Sequence, residues 1–479
     1  PVHDPADPKG PQMPLQAYSA TDFVWHPQPQ AQKFINELVS AFLAKNSHAA
    51  DLAALMKSKT GTRFADWLDY LQVQNSPAIK ARLLEVGFTN HPQPGARDHY
   101  SHDRAIFPSI VLSDSPVTRA AIKVDSVADF LAIWRLEHRV EGEPFGQFRQ
   151  ALAYHGTYAD LYIVERHASR AFVPAHHSAD KIVASLRHLE RFRNRHRDFG
   201  LDDQADNRGF AHTEHLIDDA VRDLGVDWAC DLFFQGERDF WQRRCRAARV
   251  QKARQDTLGL GWANHDHHTY RSSRHCYPLL IRSLEKLGFK SRERFYAGHE
   301  AHWGAQVLEQ PVAGITIFAD VDMTADEMLL DFPHQGFKDP VASKLGSVGI
   351  WCELHGDSFL QAGMHHLECQ FDWHALKEQL EQDAQIKMMD PFTTFPYLRQ
   401  AFTQGDHWPV DHRRIDRLLA KSLISPEQAA QFKSAGAVGS HLENLERNDG
   451  FKGFNQQGVS DIISRTDPRT IDPQPVGAA

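Results

Sequence analysis

"NHDHHTYRSSR", Asn264 to Arg274, places three histidines, an aspartate and two arginines in eleven residues just ahead of an amphipathic segment. Histidine is frequent throughout, 29 in 479 residues, so neighbouring imidazoles alone say little. Spacing says more. In a strand, side chains alternate between faces, so His265, His267, Thr269 and Arg271 fall on one side and Asn264, Asp266, His268 and Tyr270 on the other. Neutral imidazoles ligate Fe(II), Zn(II) or Mn(II), and a guanidinium on the same face can take a carboxylate through two parallel hydrogen bonds. That combination suits a metal-chelating acid; the competing reading is a solvated polar strand.

Working outward, the order of elements after Gly259 is βαβββ. "GWANHDHHTYRSS" reads as a strand, "CYPLLIRSLEKLGF" as a helix stopped by Gly288, and "KSRERFYAG", "AHWGAQVLEQ" and "GITIFADVDM" as three strands. A further sheet segment, "VGIWCELHGDSFLQAGMHHLECQFD", precedes the helix "WHALKEQLEQ". Upstream, "TRAAIKVDS", "VADFLAIWRLEHR", "GQFRQALAYHG", "ADLYIVERHA" and "RAFVPA" give the same βαβββ order over about 118–175. Apolar residues at three and four spacing make "QAQKFINELVSAFLAKN", "AADLAALMKSK" and "FADWLDYLQVQ" helical over about 29–90, and the charged stretch 178–257 is helical too. The expected organisation is an extended Pro-rich arm (1–28), a helical region with the embedded module (29–257), a metal-binding domain (258–466) and a tail (467–479). The fold class is α+β.

Bulk composition narrows the function classes. The hydrophobic share of 42% fits a globular protein, and a net charge of -9 without a basic, aromatic-interleaved patch argues against nucleic acid. The five cysteines are scattered, with no CxxC pair, so neither a disulfide framework nor a zinc ribbon is expected. No run approaches the ~18 apolar residues of a membrane span. These features predict a soluble cytoplasmic protein; a homo-oligomer is left open. There is no P-loop and no GxGxxG after a strand, so nucleotide cofactors are not indicated.

A metal site needs ligands beyond His267. In "GMHHLECQFD", the set His365, Leu367, Cys369 and Phe371 marks a packed side, which turns His366 and Glu368 the other way. A carboxylate would complete a two-histidine, one-carboxylate triad with open positions for substrate and dioxygen. Glu443 and Glu446 in "GSHLENLERNDGF" are candidates, with Glu309, Glu353 and Glu368 as competitors, and spacing does not choose among them. Asp320 and Asp322 in "FADVDM" could orient a ligand imidazole or be solvated strand-end carboxylates.

"DHHTYR" with its following helix ending "LEKLGF" and the strand "ITIFADVDM", then "MHHL", then "GSHLENLERNDGFKGFNQQGVSDIISRT", resemble in order the motifs of the 2-oxoadipate dioxygenase/decarboxylase (hydroxyglutarate synthase) family of vicinal oxygen chelate proteins. The resemblance covers roughly residues 260 to 466. It implies vicinal-oxygen-chelate-like modules forming a curved sheet around Fe(II), held by His267, His366 and Glu443, with Arg271 on the substrate carboxylate. It also implies decarboxylation of a 2-oxo acid such as 2-oxoadipate, with dioxygen as co-substrate. Arg271 lies four residues from His267, at roughly 13 Å along the strand, a span a second carboxylate could bridge. His265, His268, His365 and Glu368 stay as alternative ligands. Two rival readings stay open: a Zn- or Mn-dependent isomerase or hydrolase on the same fold, and a non-catalytic binding protein.

Overall fold

The computed structural model describes residues 24–202, 204–297, 302–339 and 344–470. Most of the expected arm and tail, 1–23 and 471–479, lies outside the described residues.

Two mixed sheets carry the architecture. The first holds β1 (Leu68–Gln74), β2 (Thr89–Asn90), β3 (His99–Ser101), β4 (Ser109–Ser113), β5 (Thr118–Lys123), β6 (Phe148–Tyr154) and β7 (Ala159–Arg166), in the order β2-β3-β4-β1-β5-β7-β6. The second holds β8 (His265–Ser272), β9 (Lys290–Tyr296), β10 (Trp303–Gln310), β11 (Ile315–Asp322), β12 (His366–Gln370), β13 (Thr393–Phe395), β14 (Leu398–Phe402), β15 (Asp406–Trp408) and β16 (Ala437–Arg447). Its order is β13-β14-β16-β12-β8-β11-β10-β9, with β15 alongside β16.

Each sheet is a pair of like units. In every unit a first strand leads into a helix and the last strand returns parallel to the first: β1 with β4, β5 with β7, β8 with β11, β12 with β16. The two first strands then pair antiparallel at the centre of each sheet, β1 with β5 and β8 with β12. The crossover helices are Pro77–Glu85, Val127–Trp134, Tyr277–Lys286 and Trp373–Ala384. Local chemistry sets their starts. Ser126 and Asp372 accept from the backbone N–H groups of Asp129 and Ala375 at 3.2 and 3.0 Å, and Pro278 occupies the first turn of the third helix.

Three element readings are corrected. "FADWLDYLQVQ", expected as helix, is a short 3-10 turn (Phe64–Trp67) followed by β1. β1 is central, with both faces covered and Tyr70 and Leu71 buried side by side, which erases the two-residue period. "VGIWCELH", expected in a sheet, is the helix Ser347–His355; nearly every residue in it is buried, so it shows no polar stripe. "RAFVPA" is not a strand: Phe172 N–H donates to Pro94 O at 2.8 Å, and its ring packs edge-on against Tyr70. The first sheet is therefore larger than the single module expected over 118–175.

Helices Ala179–Arg193, Ala205–Leu224, Val226–Arg244 and Arg246–Asp256 cover one face of the second sheet. Tyr270, Leu367, Cys369 and Leu442 point into that layer and share one core with Phe233, Phe234 and Trp241. Truncating one of these aromatics would cost about 3–5 kcal/mol. The opposite face carries the polar residues described next, with the helix Ser347–His355 packed over part of it. Among the described residues no helix is long and apolar enough to cross a membrane.

Candidate metal centre

The pairing of β8 with β12 fixes the site. His366 faces Thr269, Leu367 faces His268 and Glu368 faces His267, but Cys369 faces His265, leaving Asp266 as the extra residue of a β-bulge. The bulge breaks strict alternation at the start of the strand. Asp266 consequently lies beside His267, whose Nδ1 donates to Asp266 Oδ1 at 2.8 Å. Arg447 holds the same carboxylate with two prongs, 2.9 and 3.0 Å, and Gln370 Nε2 adds a bond at 3.1 Å. His265, expected on the His267 face, turns away: its Nδ1 is 2.9 Å from Trp262 O and its ring packs on His268. His268 lies in the helix-covered layer against Phe234. Neither imidazole reaches the cluster.

From Thr269 onward the parity holds. His267, Glu368 and Glu443 form one row across β8, β12 and β16, and Thr269, His366 and His441 the next. Glu368 Oε1 lies 3.1 Å from His267 Nε2 and 2.5 Å from His366 Nε2, and accepts from Thr269 Oγ1 at 2.9 Å. Glu443 Oε2 is 3.7 Å from His366 Nε2, while its Oε1 accepts from Gln400 Nε2 at 2.9 Å. His267, Glu368 and Glu443 each offer a ligand atom within 4.8 Å of the others, and so do His365, His366 and His441. His365 was expected on the packed side; it precedes the first residue of β12, so strand parity does not govern it, and its Nδ1 stands 2.5 Å from His366 Nδ1. Glu353 bonds Arg417 on the protein's outer side, and Glu446 accepts from Trp373 N. Glu309 pairs with Lys452 at 3.1 Å.

Burial dominates the electrostatics: His267 is 4% exposed, His366 5%, Glu368 1% and Glu443 2%. Burial alone would raise Glu368, but the flanking His267 and His366 hold it well below the usual carboxylate range. Burial, and then the charge on Glu368 beside it, push Glu443 well above that range. For His267 burial lowers basicity, yet Glu368 and Asp266 outweigh it and the imidazole is raised; for His366 burial prevails and the imidazole is lowered. His365 and His441 are pushed well below the ordinary value, by burial and by Arg271 and neighbouring imidazoles. Burial and mutual repulsion thus oppose ionising both carboxylates together. A dication between them would offset that cost. Glu368 Oε2, Gln400 Oε1 and His441 Nε2 are also buried without a hydrogen-bond partner. The donor set, imidazole and carboxylate, fits Fe(II), Zn(II) or Mn(II).

Arg271 sits two rows beyond His267, opposite Asp320 on β11. It is 2% exposed, its Nε has no hydrogen-bond partner, and its guanidinium lies 5.6 Å from the Trp351 ring centroid. Burial pushes Asp320 well above the carboxylate range despite Arg271, and among the described residues the two form no ion pair. Asp322 is not an imidazole partner: it accepts from Gly346 N and Val348 N at 2.6 and 3.2 Å, anchoring the helix that carries Trp351. A cavity of about 400 Å³ reaches His267 from the gap between the sheets, walled by Phe318, Arg292, Arg447 and Lys452 among others. Phe318 lies against the His267 ring, 4.6 Å between centroids.

No protein-family model matches the chain, and no curated protein does. Three of the solved structures it resembles are as follows. A protein described as of the glyoxalase superfamily, from Ralstonia eutropha, is 11% identical, with 57% of this chain and 97% of that one covered and a TM-score of 0.31. A variant of 4-hydroxymandelate synthase from Streptomyces coelicolor is 11% identical over 86% of this chain and 98% of that one, TM-score 0.26. The uncharacterized protein YdcJ from Shigella flexneri is 12% identical over 42% and 68%, TM-score 0.22.

The proposed ligands His267, His366 and Glu443 thus lie in one cluster, with Arg271 farther along the same strand face. Sequence reasoning had Glu368 only as a competitor and did not name Asp266 as the partner of His267, nor His441, Gln400 or Trp351 at all. His441 was within reach, because it lies two residues from Glu443 and therefore on the same face of β16.

Proposed function

We propose that the chain is an Fe(II)-dependent dioxygenase that decarboxylates a 2-oxo acid of the 2-oxoadipate kind. The observation that carries this reading is the buried cluster of His267, His366 and Glu443 next to an arginine, Arg271, whose charge has no ion-pair partner among the described residues. Iron held there would supply chelation of the 2-oxo acid and reduction of dioxygen. The protein's own groups do the rest. Asp266 fixes the His267 ring and its tautomer, and Gln400 holds one oxygen of Glu443. Arg271 receives a substrate carboxylate through its unpaired guanidinium. Phe318, Trp351 and Phe402 place apolar rings against His267, His365 and His366. Metal content of aerobically and anaerobically purified protein, with His267, His366 and Glu443 each changed to Ala, tests the reading; iron content unchanged in all three variants overturns it.

Glu368 favours a second reading. With Glu368 as a fourth protein ligand, an octahedral ion would retain two positions, which a chelating substrate fills, and none is left for dioxygen. The site would then act as a Zn or Mn Lewis acid in an isomerase or hydrolase. Oxygen consumption with 2-oxoadipate and its homologues separates the two, since the second reading predicts none. Glu368→Gln should retain iron and oxygen uptake if Glu368 only accepts hydrogen bonds, and lose metal if it is a ligand.

A further inference from the structure

The gap between the two sheets contains a second concentration of charge that the metal cluster does not use. A cavity of about 270 Å³ is walled there by Lys123, at the end of β5, and by Arg166, His167, Arg193, Arg238 and Lys252. Most of these cations are already committed. Arg166 Nε bonds both oxygens of Asp69 at 2.8 Å, Arg193 bonds Asp239 at 2.7 Å, and Lys252 bonds Asp256 at 2.7 Å. His167 lies between Asp231 and Glu165, 3.0 Å from each. Lys123 and Arg238 are not committed. Among the described residues neither forms an ion pair, and Arg238 has only a contact of 3.3 Å from Nη1 to His268 Nε2. Lys123 also borders two neighbouring cavities of about 590 and 260 Å³, so its ammonium stands where those spaces and the first converge.

Two half-buried cations that face one cavity without an ion-pair partner favour an occupant of opposite charge. We infer that this cavity is a binding site for a small anion bearing carboxylate or phosphate groups, held by Lys123 and Arg238. The carboxylates on the same wall form no ion pair with either cation: Asp231 and Asp239 are engaged by His167 and Arg193, and Asp125, which accepts from Trp262 N at 2.8 Å, acts on Arg238 only at longer range. Burial pushes the Lys123 amine below its ordinary value, and a bound anion would restore the ammonium. The cavity adjoins the one that reaches His267, with His265 in both walls, yet contains none of His267, His366, Glu443 or Arg271. The site is therefore separable from the metal centre and does not depend on the reading given to it.

The test is isothermal titration of the full-length protein at low ionic strength with inorganic phosphate and, in a separate arm, with succinate. Saturable binding is expected with at least one probe, and which one distinguishes a phosphate-bearing from a carboxylate ligand. Lys123→Met and Arg238→Gln should each weaken it by about tenfold or more, while Lys123→Arg stays within about twofold of the unaltered protein. Absence of saturable binding by either probe overturns the site. So does binding that is unchanged in Arg238→Gln, which carries the test alone if Lys123→Met does not fold.

Discussion

Replacing Asp266 by Asn tests the bulge that builds the site. The carboxylate accepts two bonds from Arg447, one from His267 Nδ1 and one from Gln370, and is almost wholly buried with Arg447. Burial would raise Asp266, but Arg447 and His267 outweigh it, and it is held far below the carboxylate range. An amide of the same shape removes the charge, keeps one acceptor oxygen and turns an NH2 donor towards Arg447 or His267, leaving Arg447 otherwise on the carbonyls of Phe451 and Gly453, at 3.0 and 2.7 Å. An orphaned buried guanidinium costs about 3–5 kcal/mol. At roughly 2–4 °C per kcal/mol for a unit of this size, the melting temperature should fall by about 6–20 °C. Arg447→Met should be similarly destabilising, and the double variant should lose clearly less than the sum of the two, by about 1–3 kcal/mol, because each single change strands the other partner. Loss of the bond that orients His267 should also weaken metal binding by about 10–100-fold. Thermal denaturation of the four proteins, with a metal-competition titration, measures both effects. A melting temperature within about 2 °C of the unaltered protein, or strict additivity in the double variant, would refute the reasoning.

The remaining expectations concern other parts of the molecule. Burial would lower His167, but Asp231 and Glu165 outweigh it and hold the imidazole up to about 10, against an ordinary 6.5. Its contribution, at most about 5 kcal/mol, is therefore complete below pH 6.5 and lost as pH rises to 10; denaturation midpoints from pH 6 to 10 should fall in the native protein and flatten in His167→Gln. A Cβ at Gly439 would stand 1.9 Å from Trp408 Cδ2, so Gly439→Ala should cost about 1–3 kcal/mol by displacing that ring, read as a lowered melting temperature. A fragment beginning at residue 258 would expose the face of β8 and β12 that Phe233, Phe234 and Trp241 cover, and it should fail to give a cooperative melt.

The strand stretch around His267 was legible because, between His267 and Arg271, alternation is a property of the chain alone. It failed at His265 and Asp266, where a bulge is decided by the pairing partner on β12, more than ninety residues away in sequence. The helix Ser347–His355 and the central strand β1 were misread for a related reason: elements covered on all sides lose the polar stripe that reveals their period. The competition between Glu443 and Glu368 shows a deeper limit. Parity places both carboxylates on the cluster face, but only the strand order β16-β12-β8 reveals that Glu368 stands on the middle strand. Any ligand set drawing His267 from β8 and Glu443 from β16 must therefore span Glu368. Its role, fourth ligand or hydrogen-bond acceptor, fixes how many positions stay open on the metal, and with them whether dioxygen can take part.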